Sequence, residues 1–110
     1  MRIISQDELK ARLDRGDEFK LVMALGELAY RAKHIPGTSI YTSTPEALLG
    51  QLAEDDDIVV YCTNPNCVAS IAVYKYLDGH GYHNISRYAG GLEEWEASGL
   101  PLEGEMVEDR

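Results

Sequence analysis

Cys62 and Cys67 are the two cysteines of the chain, and they flank the short stretch Thr63-Asn64-Pro65-Asn66. A thiol attacks or ligates only as the thiolate, so its surroundings decide its use. Cys62 ends the apolar run Ile58-Val59-Val60-Tyr61, too short for a helix, and a helical pattern opens at Ser70. That order reads as a buried parallel strand delivering a thiol to a loop at a helix N-terminus. Outward-pointing N–H groups and the helix dipole favour an anion there, either a thiolate or a bound oxyanion. The competing reading of Cys62 is a small buried residue at a strand end, since free cysteine is among the most buried residue types. Cys67 suits two roles as well: a resolving thiol that attacks a modified Cys62, or a small apolar residue in the first helical turn.

Other polar residues carry weaker signals. Asn64 and Asn66 have amides to aim into a pocket, but asparagine is equally at home in a plain turn. His34 lies in a Pro-Gly turn and more often organises such a turn than does chemistry there. His80 and His83 flank a helix end and read as surface residues. Three scattered histidines and two clustered cysteines give no structural zinc spacing, so no metal is expected, and no cofactor is implied. Tyr61 falls on the core side by strand alternation, and Trp95 reads as a packing anchor. Arg31 and Arg87 are cations outside the loop that the sequence leaves open as pocket residues.

The elements that must position Cys62 follow from pattern and punctuation. Ile3-Ile4 reads as a short strand running into a capping box, with Ser5 as N-cap and Glu8 as its partner. Leu9 and Leu13 give that helix an apolar face, and Gly16 ends it. Phe19 to Met23 reads as a buried strand and Gly26 to Lys33 as a short helix, stopped by His34-Ile35-Pro36-Gly37. Ser39-Ile40-Tyr41 is a further strand, and Thr44-Pro45 opens a helix over Glu46 to Leu52. Ser70 to Asp78 has helical spacing. Ile85 to Tyr88 is a strand, Gly90-Gly91 a tight turn, and Leu92 to Ser98 a last helix stopped by Gly99-Leu100-Pro101. Alternating strands and helices predict an α/β protein, a three-layer α/β/α sandwich with a mostly parallel sheet of about five strands.

Size and charge bound the partners. A chain of 110 residues supports one domain, placed at residues 1–104, with residues 105–110 as an acidic C-terminal tail. Nineteen acidic residues against ten basic ones give a net charge of −9, which argues against nucleic acid and anionic membranes as partners. With no export signal and no stretch of transmembrane length, a cytoplasmic location is expected.

These residues together resemble the rhodanese superfamily. His34-Ile35-Pro36-Gly37-Thr38 is similar to its early His-Ile-Pro-Gly-Ala turn, and Val60-Tyr61-Cys62 to the strand end bearing its catalytic cysteine. Gly79-His80-Gly81-Tyr82, then Tyr88-Ala89-Gly90-Gly91-Leu92-Glu93-Glu94-Trp95 and Gly99-Leu100-Pro101-Leu102, resemble its C-terminal strand, Gly-Gly turn, Trp helix and Gly-Leu-Pro end. The resemblance spans roughly residues 2–104. It implies sulfur transfer: Cys62 attacks a sulfane sulfur, holds it as a persulfide and passes it to a thiol acceptor. The substrate-binding loop is then Thr63, Asn64, Pro65, Asn66, Cys67, Val68 and Ala69, whose amides would cradle the terminal sulfur as an oxyanion hole does. The partners implied are a small-molecule or protein-borne sulfur donor and a thiol acceptor.

Two departures sharpen that expectation. The family loop runs cysteine, four residues, arginine, then a serine or threonine opening the helix. Taking Ser70 as the helix start makes the loop two residues longer than usual and puts Ala69 in the arginine slot. Counting five onward from Cys62 puts Cys67 there instead, and no charged side chain occurs from Thr63 to Ser70. The early Asp-x-Arg pair is also missing, Met23-Ala24-Leu25 standing in its place. The expectation is therefore a sulfurtransferase or sulfur carrier with weak thiosulfate activity. The alternative is a non-catalytic binding or redox-sensing module built on the Cys62/Cys67 pair.

Overall fold

The computed structural model describes residues 1–107. Ser5 caps helix α1 (Gln6–Arg15), its hydroxyl accepting the Glu8 N–H at 3.1 Å, and Gly16 ends the helix in the left-handed region at φ 72°. Strand β1 (Lys20–Met23) follows, then α2 (Glu27–Ala32), β2 (Thr38–Tyr41) and a 3-10 helix (Pro45–Gly50). The second half holds β3 (Ile58–Tyr61), α3 (Val68–Gly79), β4 (Ile85–Tyr88) and α4 (Gly91–Ala97).

The strands form a fully parallel sheet in the order β2-β1-β3-β4. β3 is buried at every position, as a strand covered on both faces must be. One face packs Val22, Val60 and Ile85 against Val73 and Leu77 of α3 and Leu48 of the 3-10 helix. The other packs Leu21, Val59 and Tyr61 against Leu9 of α1 and Trp95 of α4. This is the three-layer sandwich that the alternation predicts.

The sheet has four strands rather than the expected five. Ile3 makes a single parallel bridge to Arg87, with the Ile4 N–H donating to Arg87 O at 3.0 Å and the Arg87 N–H to Arg2 O at 2.9 Å. Ser5 already starts the helix one residue after Ile4, so the extended segment has no length in which to become a strand. The segment after Thr44-Pro45 is a 3-10 helix, and Thr44 gives it no side-chain cap. At six residues it is longer than the usual run of that tighter helix.

Beyond Leu102 the chain folds back on α2. His34 and Glu103 exchange backbone hydrogen bonds, and the N–H groups of Glu105 and Met106 donate to Arg31 O and Ala32 O at 2.7 and 2.9 Å. Residues 108–110, the rest of the acidic segment, lie outside the described residues. Among the described residues no helix is long and apolar enough to cross a membrane.

Candidate active site

Chain order places the site before any side chain does. β1 is flanked by β2 on one side and β3 on the other, so successive crossovers leave it in opposite directions. The crevice between two such strands, at their carboxyl ends, is where open parallel sheets bind ligands. Cys62 is the first residue past β3, and its sulfur lies 4.0 Å from the carbonyl of Ala24, the first residue past β1. Cys62 is 1 % exposed.

The loop after Cys62 is a tight turn. Asn64 O accepts the Cys67 N–H at 3.1 Å, while the Asn64 side-chain oxygen accepts the Asn66 N–H at 3.0 Å. Asparagine at this position mimics a backbone turn, which accounts for a sharp reversal around Pro65. The turn brings Cys67 back over Cys62, their Cα atoms 6.3 Å apart, and the two residues are joined as a disulfide. α3 starts at Val68 with Cys67 as its N-cap, two residues earlier than the sequence pattern indicates. Four residues therefore separate Cys62 from Cys67, the residue that opens the helix, and the longer loop expected from a helix start at Ser70 is not formed.

Turn formation also consumes donors. Pro65 has no N–H, and those of Asn66 and Cys67 are spent inside the turn. Among the described residues, the amides of Thr63, Asn64, Val68 and Ala69 have no protein acceptor. Thr63, Pro65, Asn66 and Val68 are exposed, whereas Asn64, Cys67 and Ala69 are half-buried.

Three supports hold this loop. From α4, the N–H groups of Leu92 and Glu93 donate to Cys62 O and Thr63 O at 3.0 and 2.8 Å. From behind, the Tyr61 hydroxyl accepts the Ile35 N–H at 3.2 Å and lies 2.8 Å from Thr38 Oγ1, tying β3 to the His-Ile-Pro-Gly turn. Burial pushes the Tyr61 phenol up to about 12, against the opposing pull of its Thr38 and Ile35 hydrogen bonds. From beneath, Arg87 of β4 donates to Ser70 Oγ and to Pro65 O. His34 does not enter the loop: its Nδ1 lies 2.7 Å from Tyr30 O and its ring stacks on Tyr30. Arg31 pairs with Glu105 instead, and that hydrogen bond raises its pKa.

The loop surroundings are apolar and, on one side, acidic. Asn64 donates to Glu93 at 3.2 Å, which sets a carboxylate against the turn. A cavity of about 320 Å³ opens beside Thr63, between Leu25 and Ala29 on one wall and Leu92 on the other. Its lining includes Lys33, which is paired with Glu96 at 2.8 Å, and Glu93. Val68, the first residue of α3, is an exposed apolar side chain at the end of the loop. A larger cavity, about 570 Å³, lies along Gly99–Leu102 and Met106 and reaches no residue of the loop. Among the described residues no cluster of three His, Cys, Asp or Glu side chains could hold a metal.

The sequence locates Cys62, Cys67, the loop and the Gly90-Gly91 turn, but gives no sign of two contributors, Glu93 and Ser70, which act through Asn64 and Arg87, distant in sequence.

Comparison with known proteins identifies the domain and its fold. The rhodanese-like domain model matches residues 5–98. The fold is similar to that of a Bacillus halodurans protein, at TM-score 0.85 and 20 % identity, covering 96 % of this chain and 78 % of that one. It is also similar to the rhodanese-like domain of an Anabaena protein, at TM-score 0.80 and 25 % identity, covering 96 % and 81 %. A rhodanese-like domain protein from Staphylococcus aureus gives TM-score 0.79 and 24 % identity over 96 % and 99 %. No curated protein matches the chain. With the domain model matching nearly the whole chain, the chain belongs to the rhodanese-like domain family.

Proposed function

We propose that this protein is a sulfur carrier and sulfurtransferase that takes sulfane sulfur on Cys62 and discharges it with the help of Cys67. The observation that carries this reading is the position of Cys67, close enough over Cys62 to be disulfide-bonded to it. With both cysteines reduced, the Cys62 thiolate attacks the outer sulfur of a donor persulfide, giving a Cys62 persulfide and the donor thiolate. The Cys67 thiolate then attacks Cys62 Sγ, forming the Cys62–Cys67 disulfide and releasing hydrosulfide. The two thiols are oxidised by two electrons as the sulfane sulfur is reduced to sulfide, and an external thiol resets the pair. In the oxidised form Cys67 is the more accessible residue, half-buried over a buried Cys62. Attack of that external thiol on Cys67 frees Cys62 as the leaving thiolate.

The donor class follows from charge. No cation lies on the loop, and Glu93 stands beside it. A small dianion such as thiosulfate lacks a clamp there, whereas a low-molecular-weight or protein-borne persulfide carries less charge and needs none. Sulfide release from a cysteine persulfide donor in the presence of dithiothreitol tests the reading. The wild-type protein should exceed the uncatalysed rate clearly and Cys62→Ser should match it; equal rates for the two proteins overturn it.

The disulfide itself favours a second reading, a redox-sensing module without turnover. In that case oxidation and reduction change binding to a partner, and neither protein releases sulfide above background.

A further inference from the structure

Arg87 lies inside the molecule, 6 % exposed, on the face of the sheet that α3 covers. Its Nε donates to Ser70 Oγ at 2.9 Å and its Nη2 to Pro65 O at 3.2 Å. Both acceptors are neutral. Among the described residues no carboxylate pairs with it. Buried guanidinium groups are ordinarily paired with an anion, because low-dielectric surroundings penalise a lone charge. Here the cation sits under the cysteine loop.

Register gives the proximity. Arg87 lies opposite Val60, two residues before Cys62 on the adjacent parallel strand. Strand spacing and rise put the two Cα atoms on the order of 8 Å apart, and the two side chains leave the sheet on the same face. The Pro65 carbonyl that Arg87 holds is three residues past Cys62, at the apex of the turn.

The remaining ionisable groups facing the loop do not supply a positive charge. Glu93 of α4 is bonded to Asn64, and Tyr88 of β4, raised by burial and by its bond to Glu94, stays neutral. The first turn of α3 holds Val68, Ala69 and Ser70, and the residues past β1 are Ala24 and Leu25. On α2 and just beyond it, Arg31 is paired with Glu105 and Lys33 with Glu96, while Glu27 adds a further negative charge.

We propose that Arg87 is the positioning residue of this site, fixing the cysteine loop from beneath through Pro65 and Ser70 while its charge favours the Cys62 thiolate and then the Cys62 persulfide anion. The cation that the family places on the loop is thus supplied from the neighbouring strand. A charge below the sulfur stabilises an anion already on the protein without clamping a free dianion above it. This rests on the reading of Cys62 as the nucleophile, but not on which sulfur donor is used.

The test isolates Cys62 in a Cys67→Ser background and follows iodoacetamide alkylation against pH, with a thermal melt for each protein. Arg87→Gln and Arg87→Met should move the midpoint of the profile up by about one pH unit, slowing alkylation near neutral pH roughly tenfold. Arg87→Lys, which keeps the charge, should move it much less, even where its melt falls as far as theirs. Should Arg87→Met fail to fold, Arg87→Gln, which retains a donor for Pro65 O, carries the comparison. Profiles of the Gln and Lys variants that both superimpose on the parent, whatever the melts, overturn the proposal and leave Arg87 a packing residue. No sulfur donor is present in this assay, so a protein that never accepts sulfur refutes the proposed function without touching this result.

Discussion

Gly91 meets the backbone of Cys62 at a distance no side chain allows: a Cβ on Gly91 would lie 2.5 Å from Cys62 O and 2.8 Å from Thr63 C and O. Its φ of 64° also favours glycine. The Gly-Gly turn is what lets α4 bring the N–H groups of Leu92 and Glu93 onto the carbonyls of Cys62 and Thr63. Gly91→Ala should therefore push α4 away from the loop. A loss of roughly 2–4 kcal/mol is expected from the clash and the positive φ together. Urea unfolding measures it, and a variant as stable as the parent would contradict the docking role.

Cys67 is the N-cap of α3 and the fifth residue after Cys62, where the resemblance to the family implies an arginine. Cys67→Arg should restore an anion clamp. A charge-assisted hydrogen bond contributes about 1.5–3 kcal/mol, so kcat/KM for thiosulfate should rise by roughly one to two orders of magnitude from a low starting value. Steady-state thiosulfate:cyanide assays at fixed salt check this. No rise would mean that something other than the missing cation limits thiosulfate use.

Tyr61 couples the cysteine strand to the His-Ile-Pro-Gly turn, and its burial pushes the phenol from the ordinary 10 up to about 12. The folded state thus holds the phenolic proton more tightly. Its contribution to stability is complete below pH 10 and is lost as pH rises through 12, by about 3 kcal/mol. Tyr88, raised in the same direction by burial, adds to the same loss. Urea titrations between pH 9 and 12 should show a shallower decline in Tyr61→Phe, at the cost of a lower stability at neutral pH from the unpaired Ile35 N–H.

Ser5 caps α1, and its hydroxyl also lies 3.2 Å from the Glu8 carboxylate. Ser5→Ala should cost about 1 kcal/mol in thermal or urea unfolding and leave Cys62 alkylation unchanged. A change in alkylation would show that α1 reaches the site by a route the packing does not suggest.

Much of this fold is written in short-range signals. Ser5 with Glu8, Gly16 after α1, Pro36-Gly37 and the run ending at Cys62 each act within a few residues, and each is placed by the structure where the pattern puts it. The misplaced boundaries have equally local causes. The apolar spacing of α3 begins at Ile71, but the helix is started by the Asn64 turn, whose hydrogen bonds leave no periodic trace. The segment at Ile3-Ile4 has strand composition without strand length. The supports of the site were harder to read because they join residues far apart in sequence. Arg87 stands beside Arg31 as one of two cations the sequence leaves open, and only its partners Pro65 and Ser70, 22 and 17 residues away, single it out. Glu93 reads as a helix-surface carboxylate until Asn64 is placed beside it.

Intact mass spectrometry of the reduced protein after brief exposure to a cysteine persulfide donor measures directly whether Cys62 carries sulfur. The wild-type protein and Cys67→Ser should both gain the mass of one sulfur atom, lodged on the peptide containing Cys62, with the adduct outlasting the wild-type one in Cys67→Ser. Cys62→Ser should gain none. An adduct that survives in Cys62→Ser, or one absent from all three proteins, would contradict the account.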